Sequence, residues 1–349
     1  MLVLTAYLPG LLKPEEQPQL NTRPTATVPT APTGDASEPT KATEPTEESS
    51  EPTQVTVPAT ETVIPEGEKF LISFAGDCTF ATNHNATPSW DLFPSVVGDN
   101  YDYPFAGVKS YFEKDDLTLV NLECALTTYD PTEEEMKQLQ LYTKSFRFRG
   151  PLEYVNILTR NSVDFVSLAN NHIMDQGVRG YKATTSVLNE ANIPFVETDS
   201  TCLHTLDNGV TIGLFATMYG KDNMKNLVSQ IQSLKEQGAD LLIYVAHWGT
   251  EGGYRVNDDQ RKLAHAAIDA GADLVYGSHP HTLQPIEEYN GGIICYSLGN
   301  FSFGGHHWPR DLDSAVLQQE IIRDPDGTVS LGELTIIPVS CSSLPAQNN

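Results

Sequence analysis

The chain has 349 residues and a formal net charge of −25 at pH 7, and this length suits one large domain or two ordinary ones. Nucleic acids and anionic membranes are poor partners for so acidic a chain, because like charges repel unless a bound metal reverses the local field. The 5 cysteines include no C-x-x-C pair, which argues against a disulfide framework and against a structural zinc site.

The start of the chain predicts an anchored stalk. Residues 1–12 are apolar but too short for a membrane-spanning helix, which needs about 20 apolar residues. We interpret them as the remnant of a signal or anchor helix; an incidental hydrophobic start is the alternative. Residues 13–66 are rich in Pro, Thr and Glu and bury too little apolar surface to fold, so they predict a disordered stalk or a plain linker. We therefore expect an extracellular protein, held at the cell surface through its N-terminal segment.

Residues 67–340 are expected to form one folded domain, and residues 341–349 a short tail. Apolar, β-rich runs predict strands at residues 70–75, 117–120, 165–169, 212–215, 241–246 and 273–276. Helical patterns lie between them at residues 106–112, 152–160, 177–191, 224–237 and 260–270. Strands that alternate with helices at this spacing imply βαβ units and a mostly parallel sheet, so the predicted fold class is α/β.

The pattern changes in the carboxyl part of the domain. Strand-like runs at residues 285–289, 292–297, 314–322 and 328–337 follow one another without helices between them. Asn290-Gly291 and Asp326-Gly327 are strong signals for hairpin turns. The carboxyl part is therefore expected to be antiparallel and to extend or face the first sheet.

Polar residues follow the carboxyl ends of several predicted strands. They include two histidines held one residue apart by Pro280, whose ring stiffens the loop; the set is Asp77, Glu123, Asn171, His172, His247, His279 and His281. Each residue alone has a structural alternative, such as a helix cap for Asp77, a turn for Asn171 or a core position for His247. In a parallel sheet, however, such strand ends lie along one edge. Carboxylate, amide and imidazole ligands together suit one or two divalent cations, with Mn, Fe, Zn and Mg all compatible.

These residues also carry a resemblance to a known family. The chain resembles the bacterial CapA capsule synthesis family, which is linked to poly-γ-glutamate. The shared motifs run in order across residues 68–338: Gly76-Asp77, Asn121-Leu122-Glu123, Ala169-Asn170-Asn171-His172 with Asp175 and Gly177, His247-Trp248-Gly249 with Glu251, Gly271-Ala272-Asp273, Gly277-Ser278-His279-Pro280-His281, and Ser297-Leu298-Gly299-Asn300-Phe301. The family is similar to the calcineurin-like metallophosphoesterases, which implies an α/β/β/α sandwich with mixed sheets and a two-metal site.

The resemblance implies a role for each matching residue. The implied metal ligands are Asp77, Glu123, Asn171, His247, His279 and His281. The implied catalytic group is His172, the acid or orienting histidine beside the metals, and we add Asp175 and Glu251 as catalytic candidates. Two departures bear on activity: Asp77-Cys78-Thr79 lacks the histidine of the phosphoesterase Asp-x-His motif, and Asn121-Leu122-Glu123 stands where that motif series carries an aspartate.

The expected chemistry is metal-assisted hydrolysis, in which a cation lowers the pKa of a bound water and His172 protonates the leaving group. The expected partners are an anionic polymer such as poly-γ-glutamate, or a phosphoester substrate, together with membrane-bound capsule synthesis proteins. Trp248 and Tyr254 are candidates for a substrate groove, although a Trp after a strand is more often a packing residue. Positive charge for an anionic substrate is expected from the metals, with Arg147, Arg149, Arg255 and Arg310 as further candidates. The alternative is a non-catalytic component that binds or guides the polymer during export and carries a vestigial metal site.

Overall fold

A computed structural model describes residues 67–83, 93–219, 224–305 and 309–341. The predicted anchor at 1–12 and the predicted stalk at 13–66 lie outside the described residues, as does the predicted tail apart from Cys341. Among the described helices, none is both long enough and apolar enough to cross a membrane.

The described residues form strands of very different lengths. In chain order they are β1 (Glu68–Thr79), β2 (Thr82–Asn83), β3 (Leu117–Leu122), β4 (Ala125–Leu126), β5 (Phe148–Gly150), β6 (Phe165–Ser167), β7 (Phe195–Val196), β8 (Ser200–Thr205), β9 (Thr211–Met218), β10 (Leu241–His247), β11 (Leu274–Ser278), β12 (Ile286–Tyr289), β13 (Gly292–Cys295), β14 (Asn300–Phe303), β15 (Asp313–Arg323) and β16 (Val329–Ser340).

The helices of the described residues, in chain order, are α1 (Phe93–Val97), α2 (Lys109–Phe112), α3 (Glu133–Gln138), α4 (Val155–Thr159), α5 (Gly177–Glu190), α6 (Met224–Glu236) and α7 (Asp258–Asp269). Short 3-10 turns lie at Tyr103–Phe105, Leu141–Thr143 and Leu152–Tyr154. The predicted helix at 152–160 is thus split into a 3-10 turn and α4, whereas the predicted helix at 106–112 is shortened to α2 and follows a 3-10 turn. The longer helices match their predictions to within a few residues.

Two large mixed sheets pack face to face. The first has 7 strands in the order β16-β15-β1-β3-β6-β7, with β14 also paired to β1, and the second has 6 strands in the order β12-β13-β11-β10-β9-β8. Apolar side chains from both sheets meet in one core, which includes Ile72 and Leu119 from the first sheet and Leu214 and Ile243 from the second. All seven residues of β10 are buried, as expected for a parallel strand covered on both faces.

Helices cover the outer face of each sheet and complete four layers. On the first sheet, Leu158 and Leu188 of the helical layer pack with Val120 and Val166 of the strands. On the second sheet, α6 places Leu227, Ile231 and Leu234 against the strands, at the spacing of an amphipathic helix. The predicted α/β/β/α sandwich with mixed sheets is confirmed.

The partition into two sheets corrects the expectation of one parallel sheet with all strand ends on one edge. The strands β1, β3 and β6 belong to the first sheet, whereas β9, β10 and β11 belong to the second. The alternating pattern does not reveal this partition, because strands of both sheets are buried on both faces and read alike. The first strand is also longer than predicted, and Asp77 lies inside it rather than beyond its end.

The carboxyl part is only partly antiparallel, so that prediction was wrong for two strands. As expected, β12 pairs antiparallel with β13, and β15 pairs antiparallel with both β1 and β16. However, β13 pairs parallel with β11, and β14 pairs parallel with β1. The Asn290-Gly291 hairpin is confirmed: both residues have positive φ, 47° and 84°, which is the requirement of a two-residue type I′ turn.

Candidate metal centre

Asp77 sits where β1 is irregular and tightly flanked. The register between β1 and β3 shifts between Phe74 and Asp77, and the Asp77 backbone N–H donates to the Gly299 carbonyl at 2.9 Å. A Cβ on Gly76 would lie 2.1 Å from that same carbonyl oxygen, so only glycine allows β1 to approach the segment before β14 this closely. The bulge turns the fully buried Asp77 carboxylate toward the second sheet, where the His279 backbone N–H donates to Oδ2 at 3.2 Å.

Glu123 follows β3 and is the most deeply isolated charge of the site. It is fully buried, and neither carboxylate oxygen has a hydrogen-bond donor within the described residues. An ionised carboxylate in such a position costs several kcal/mol unless a counter-charge compensates it. Its nearest basic groups are His247 Nε2, 3.4 Å from Oε1, and His281 Nδ1, 3.8 Å from Oε2.

His247 ends β10 and faces Asn171 across the two sheets. Its Nε2 lies 2.8 Å from the Asn171 Oδ1 atom, while its Nδ1 lies 2.9 Å from the Ser278 hydroxyl. The serine holds the ring from behind, so that Nε2 is directed toward Asn171 and Glu123. A second polar contact of this kind orients metal-ligating histidines in many proteins.

His279 and His281 lie in a loop of unusual backbone conformation after β11. Their φ angles are 95° and 56°, in the region that non-glycine residues seldom adopt. The carbonyl of Pro280 between them accepts a 2.7 Å hydrogen bond from the Gly252 N–H, which ties the loop to the segment that carries Glu251. Strained conformations of this type persist where the surrounding structure imposes them, and they cluster at functional sites.

The side chains form three overlapping sets whose ligand atoms lie within 4.8 Å of one another: Glu123 with His247 and His279, Asp77 with Glu123 and His281, and exposed Glu251 with His279 and His281. Glu123 belongs to the first two sets, so its two oxygens face two adjacent cation positions. Among the described residues, the two Glu123 oxygens and the buried His279 Nδ1 have no hydrogen-bond partner. These are the ligand atoms that a cation would use. The residues therefore fit a divalent metal.

The two cation positions differ in the pKa values of their histidines. Burial lowers the pKa of His247 well below its ordinary value, and His279 lowers it further; burial and then His281 lower the pKa of His279 to about 4. Burial also opposes the charged form of His281, but Glu123 and Asp77 raise its pKa to about 10. Burial and Asp77 raise the pKa of Glu123. The His247–His279 side thus offers neutral imidazoles, and the Asp77–His281 side holds a proton that a cation would displace.

A second buried network adjoins Asn171. The His172 Nδ1 atom lies 2.6 Å from Asp175 Oδ2, and the fully buried Asp175 also accepts from the Phe148 backbone N–H at 2.7 Å. Lys144 donates both to Asp175 Oδ1 and to the Asn171 carbonyl. His172 packs on the ring of Phe148, with 4.3 Å between ring centroids. One lysine therefore anchors both the catalytic candidates His172 and Asp175 and the backbone that presents Asn171.

A model of the bacterial capsule synthesis protein family PGA_cap matches residues 71–305, a range that includes every predicted site residue. The chain belongs to the PGA_cap family.

Named relatives agree with this membership. The chain is 33% identical over 270 residues to the PGA biosynthesis protein CapA of Bacillus subtilis, covering 70% of this chain and 69% of that protein. It is 32% identical over 254 residues to the capsule biosynthesis protein CapA of Bacillus anthracis, covering 66% of this chain and 60% of that protein. Among solved structures, a putative 5′-nucleotidase from Staphylococcus aureus is 14% identical with a TM-score of 0.46, covering 77% of this chain and 54% of that one.

Sequence reasoning missed two asparagines of this PGA_cap site. Asn121 donates from Nδ2 to Asp77 Oδ1 at 2.8 Å and accepts from Asn170 Nδ2 at 3.0 Å. Asn170 in turn receives the backbone N–H groups of His172 and Ile173 on its Oδ1. Both asparagines belong to motifs that the chain shares with the family, but only the strand pairing reveals that they join Asp77 to the loop of His172.

The candidate groove residues and arginines differ in exposure and in contacts in the PGA_cap fold. Trp248 is only 2% exposed and donates to the Tyr296 carbonyl at 2.9 Å, so it is a packing residue rather than a groove residue. Tyr254 is 58% exposed. Of the arginines considered as anion-binding groups, Arg147 is buried with Nη1 against Met136 Sδ, and Arg149 is paired with Asp130. Neither is directed to the site by a contact seen in the described residues.

Proposed function

We propose that this chain acts at the cell surface in the synthesis or export of a poly-γ-glutamate capsule, as a metal-dependent hydrolase that cleaves an amide bond of the polymer or a phosphoester. The names of the relatives, a PGA biosynthesis protein and a capsule biosynthesis protein, support the biological role. The observation that carries the chemistry is Glu123, whose two buried oxygens have no hydrogen-bond partner among the described residues and face two separate groups of histidine and carboxylate ligands.

The chain's own residues divide the work. Asp77, Glu123, Asn171, His247, His279 and His281 would hold one or two cations drawn from Mn, Fe, Zn or Mg. A bound divalent cation lowers the pKa of a water and polarises the scissile group. His172 has Nδ1 engaged with Asp175, which leaves Nε2 to give a proton to the leaving group. Glu251, exposed beside His279 and His281, would accept a proton during the reaction.

The charge of the site favours binding of an anionic substrate only if the metal centre contains its cations. The chain carries a net charge of −25, and the site itself contributes Asp77, Glu123 and Glu251. Lys144 is already paired with Asp175, so it brings no free positive charge to the site. A polyanion would therefore depend on the cations for attraction, which couples substrate binding to metal content. The half-exposed ring of Tyr219, 5.2 Å from the ring of His279, would contact the substrate beside the cations.

The test uses the full chain loaded with each cation in turn. Poly-γ-glutamate length is followed by size-exclusion chromatography with light scattering, and phosphoester turnover with bis-p-nitrophenyl phosphate. Cleavage that needs a cation and falls at least about 100-fold in His172→Asn supports the proposal, since a general acid contributes about that much. His265→Asn is the matched control, because His265 stacks on Tyr289 at 3.7 Å and contacts Glu287, away from the centre.

A non-catalytic polymer-binding or export component is the second candidate. The observation that favours it is Thr79, which replaces the histidine of the phosphoesterase Asp-x-His motif and removes one expected ligand. Under this hypothesis the loaded chain binds the polymer but never shortens it, and His172→Asn binds as tightly as the native chain. Metal-dependent binding without cleavage of either substrate would overturn the hydrolase and establish this candidate.

The cellular site and the partners belong to the same proposal. An apolar start followed by a Pro/Thr/Glu-rich stalk would hold the domain outside the cell, next to membrane-bound capsule synthesis proteins. Accessibility of the full chain to protease added to intact cells tests this arrangement. Protection until the cells are lysed would contradict an extracellular location.

A further inference from the structure

Two more polar side chains beside Asp77 are buried without a partner. The Thr79 hydroxyl oxygen and the Asn300 Oδ1 atom have no hydrogen-bond partner among the described residues, and these residues are 0% and 2% exposed. Leaving a buried polar atom unsatisfied costs about 1–3 kcal/mol. Two such atoms next to a carboxylate of the metal centre need an explanation, and neither is used by the chemistry proposed above.

Strand geometry places both residues on the face that carries Asp77. The register of β1 with β14 shifts between Asp77 and Cys78, so the contacts of its neighbours decide the face of Thr79. Thr79 is the register partner of Phe303, whose ring centroid lies 5.9 Å from that of His281, and this places Thr79 on the face of the site. The intervening Cys78 packs on the opposite side, in the core under the helical layer. In the parallel pair of β1 and β14, Asp77 is the register partner of Asn300, which puts their side chains next to each other on one face.

The cation position on this side is short of donors. Its set contains Asp77, Glu123 and His281, and both Asp77 oxygens already accept hydrogen bonds, Oδ1 from Asn121 and Oδ2 from the His279 backbone N–H. The neighbouring position has the imidazoles of His247 and His279 and the amide oxygen of Asn171, in addition to Glu123. Thr79 stands where the phosphoesterase motif carries its histidine, so here an oxygen replaces a nitrogen.

We propose that Thr79 and Asn300 supply oxygen contacts that complete the cation position of Asp77, Glu123 and His281, so that this position selects Mg²⁺ or Mn²⁺. The resulting donor set is one imidazole and four oxygen-bearing side chains. Oxygen-rich sites suit Mg²⁺ and Mn²⁺, whereas imidazole-rich sites suit Zn²⁺ and Fe²⁺. The two positions then hold different metals. The inference rests on the metal centre of the proposed function, and it assigns a role to the Asn300 side chain of the Ser297–Phe301 motif.

The first experiment measures cation binding rather than activity. The full chain is purified free of metal, loaded with one equivalent of Zn²⁺ and titrated with Mn²⁺, by calorimetry and by the electron paramagnetic resonance of bound Mn²⁺. The native chain is expected to bind one ion of each. Thr79→Val and Asn300→Leu should each weaken Mn²⁺ binding at least about 10-fold and leave Zn²⁺ binding unchanged. Asn300→Asp keeps an oxygen donor and should retain Mn²⁺.

A reciprocal variant tests the selectivity. Thr79→His restores the imidazole of the phosphoesterase motif, so it should bind a second Zn²⁺ at least about 10-fold more tightly than the native chain does. Mn²⁺ affinity at the same position should not rise in parallel. If Thr79→His gains no affinity for a second Zn²⁺, the proposed assignment of this position is wrong.

A folding control separates ligand loss from misfolding. Thr79→Val removes a hydroxyl that has no partner, so the metal-free variant should melt at or above the native temperature. Thr184→Val is the matched change, because the buried Thr184 hydroxyl accepts from the Leu126 N–H at 2.9 Å and lies 3.0 Å from the Gly180 carbonyl. It should melt lower but bind both cations as the native chain does.

The outcomes also separate this inference from the proposed function. Mn²⁺ binding by Thr79→Val and Asn300→Leu at native strength overturns the inference and leaves a metal centre intact. One Zn²⁺ and no Mn²⁺ in the native chain overturns the inference, while a single-cation hydrolase remains. No binding of any cation overturns the metal centre of the proposed function, and the inference falls with it.

Discussion

The Nδ1 atom of His281 lies 3.1 Å from the Oδ2 atom of Asp77, although one residue follows a strand of the second sheet and the other lies in the first. Their contact joins the two sheets through a pair of opposite charge in which Asp77 is fully buried and His281 is partly exposed. Burial opposes the charged form of His281, but Glu123 and this contact with Asp77 raise its pKa to about 10, whereas burial and then the charge of His281 lower the pKa of His279 to about 4. Two histidines one residue apart therefore hold different protonation states at neutral pH.

This difference predicts proton release when a cation binds. At pH 7.5 His281 is protonated in the metal-free chain, because its pKa is raised to about 10, and coordination requires the neutral ring. Binding at the Asp77–His281 position should release at least one proton, so affinity there should fall about tenfold per pH unit on acidification. Calorimetry in buffers of different ionisation enthalpy counts the protons.

The position of His247 and His279 should behave oppositely. Burial lowers the pKa of His279 to about 4, so its ring is neutral from pH 7.5 down to about pH 5, and burial lowers the pKa of His247 well below its ordinary value, so its ring is neutral at pH 7.5. Zn²⁺ affinity there should change little over this range, whereas ordinary histidines would start to lose metal near pH 6.5. Equal pH dependence at the two positions would contradict the assigned protonation states.

Replacing Asn121 should lower metal affinity, although Asn121 is not itself a metal ligand. It holds Oδ1 of Asp77 at 2.8 Å and is itself held by Asn170. Asn121→Ala should lower cation affinity at the Asp77 position about 10-fold to 100-fold, the usual effect of removing a group that orients a ligand. Asn161→Ala is the control, since Asn161 is equally buried but donates to the carbonyls of Tyr101 and Ile157. Calorimetric titration should show native affinity in the control.

The positions of the strands could largely be predicted from the sequence, but their pairing could not. Runs of apolar, β-branched residues indicate the longer buried strands, and the polar residues that follow them indicate the site, but the short buried strands β4 and β14 were not predicted. Asn121 illustrates the limit: it belongs to a quoted motif, yet its contact with Asp77 depends on the β1–β3 register beside a bulge. Thr79 and Asn300 are a similar case, because a buried atom without a partner is visible only when every neighbour has been placed.

Lys144 could not have been found from the sequence, because it lies in an irregular, charged stretch 27 residues before Asn171 and 31 before Asp175. Its replacement tests the network that it anchors. Lys144→Met leaves the fully buried Asp175 without its lysine, and we expect a loss of about 2 kcal/mol in the free energy of unfolding, since the lysine is 30% exposed and the pair is partly screened. Chemical denaturation measures this loss.

The same variant should also loosen Asn171, whose carbonyl accepts from Lys144. Cation affinity at the His247 position is therefore expected to fall. Lys109→Met is the matched control: Lys109 is 32% exposed, but its partner Asp102 is 31% exposed, so no charge is left buried. A Lys144→Met chain as stable as the Lys109→Met chain would show that the network does not depend on this lysine.

Gly76 gives the sharpest test of how the backbone positions Asp77. A Cβ at this position would lie 2.1 Å from the Gly299 carbonyl oxygen and 3.1 Å from that of Leu298, both of them backbone atoms that cannot rotate away. Gly76→Ala must therefore separate β1 from β14, and we expect a loss of about 3 kcal/mol or more in the free energy of unfolding. Gly107→Ala is the control, because nothing lies within 4 Å of the added methyl group there.

Since Asp77 follows Gly76 and is the register partner of Asn300, the Gly76→Ala variant should also lose affinity for Mn²⁺ before it loses affinity for Zn²⁺. A Gly76→Ala chain that folds with native stability and binds both cations normally would show that this close approach is not needed to build the centre.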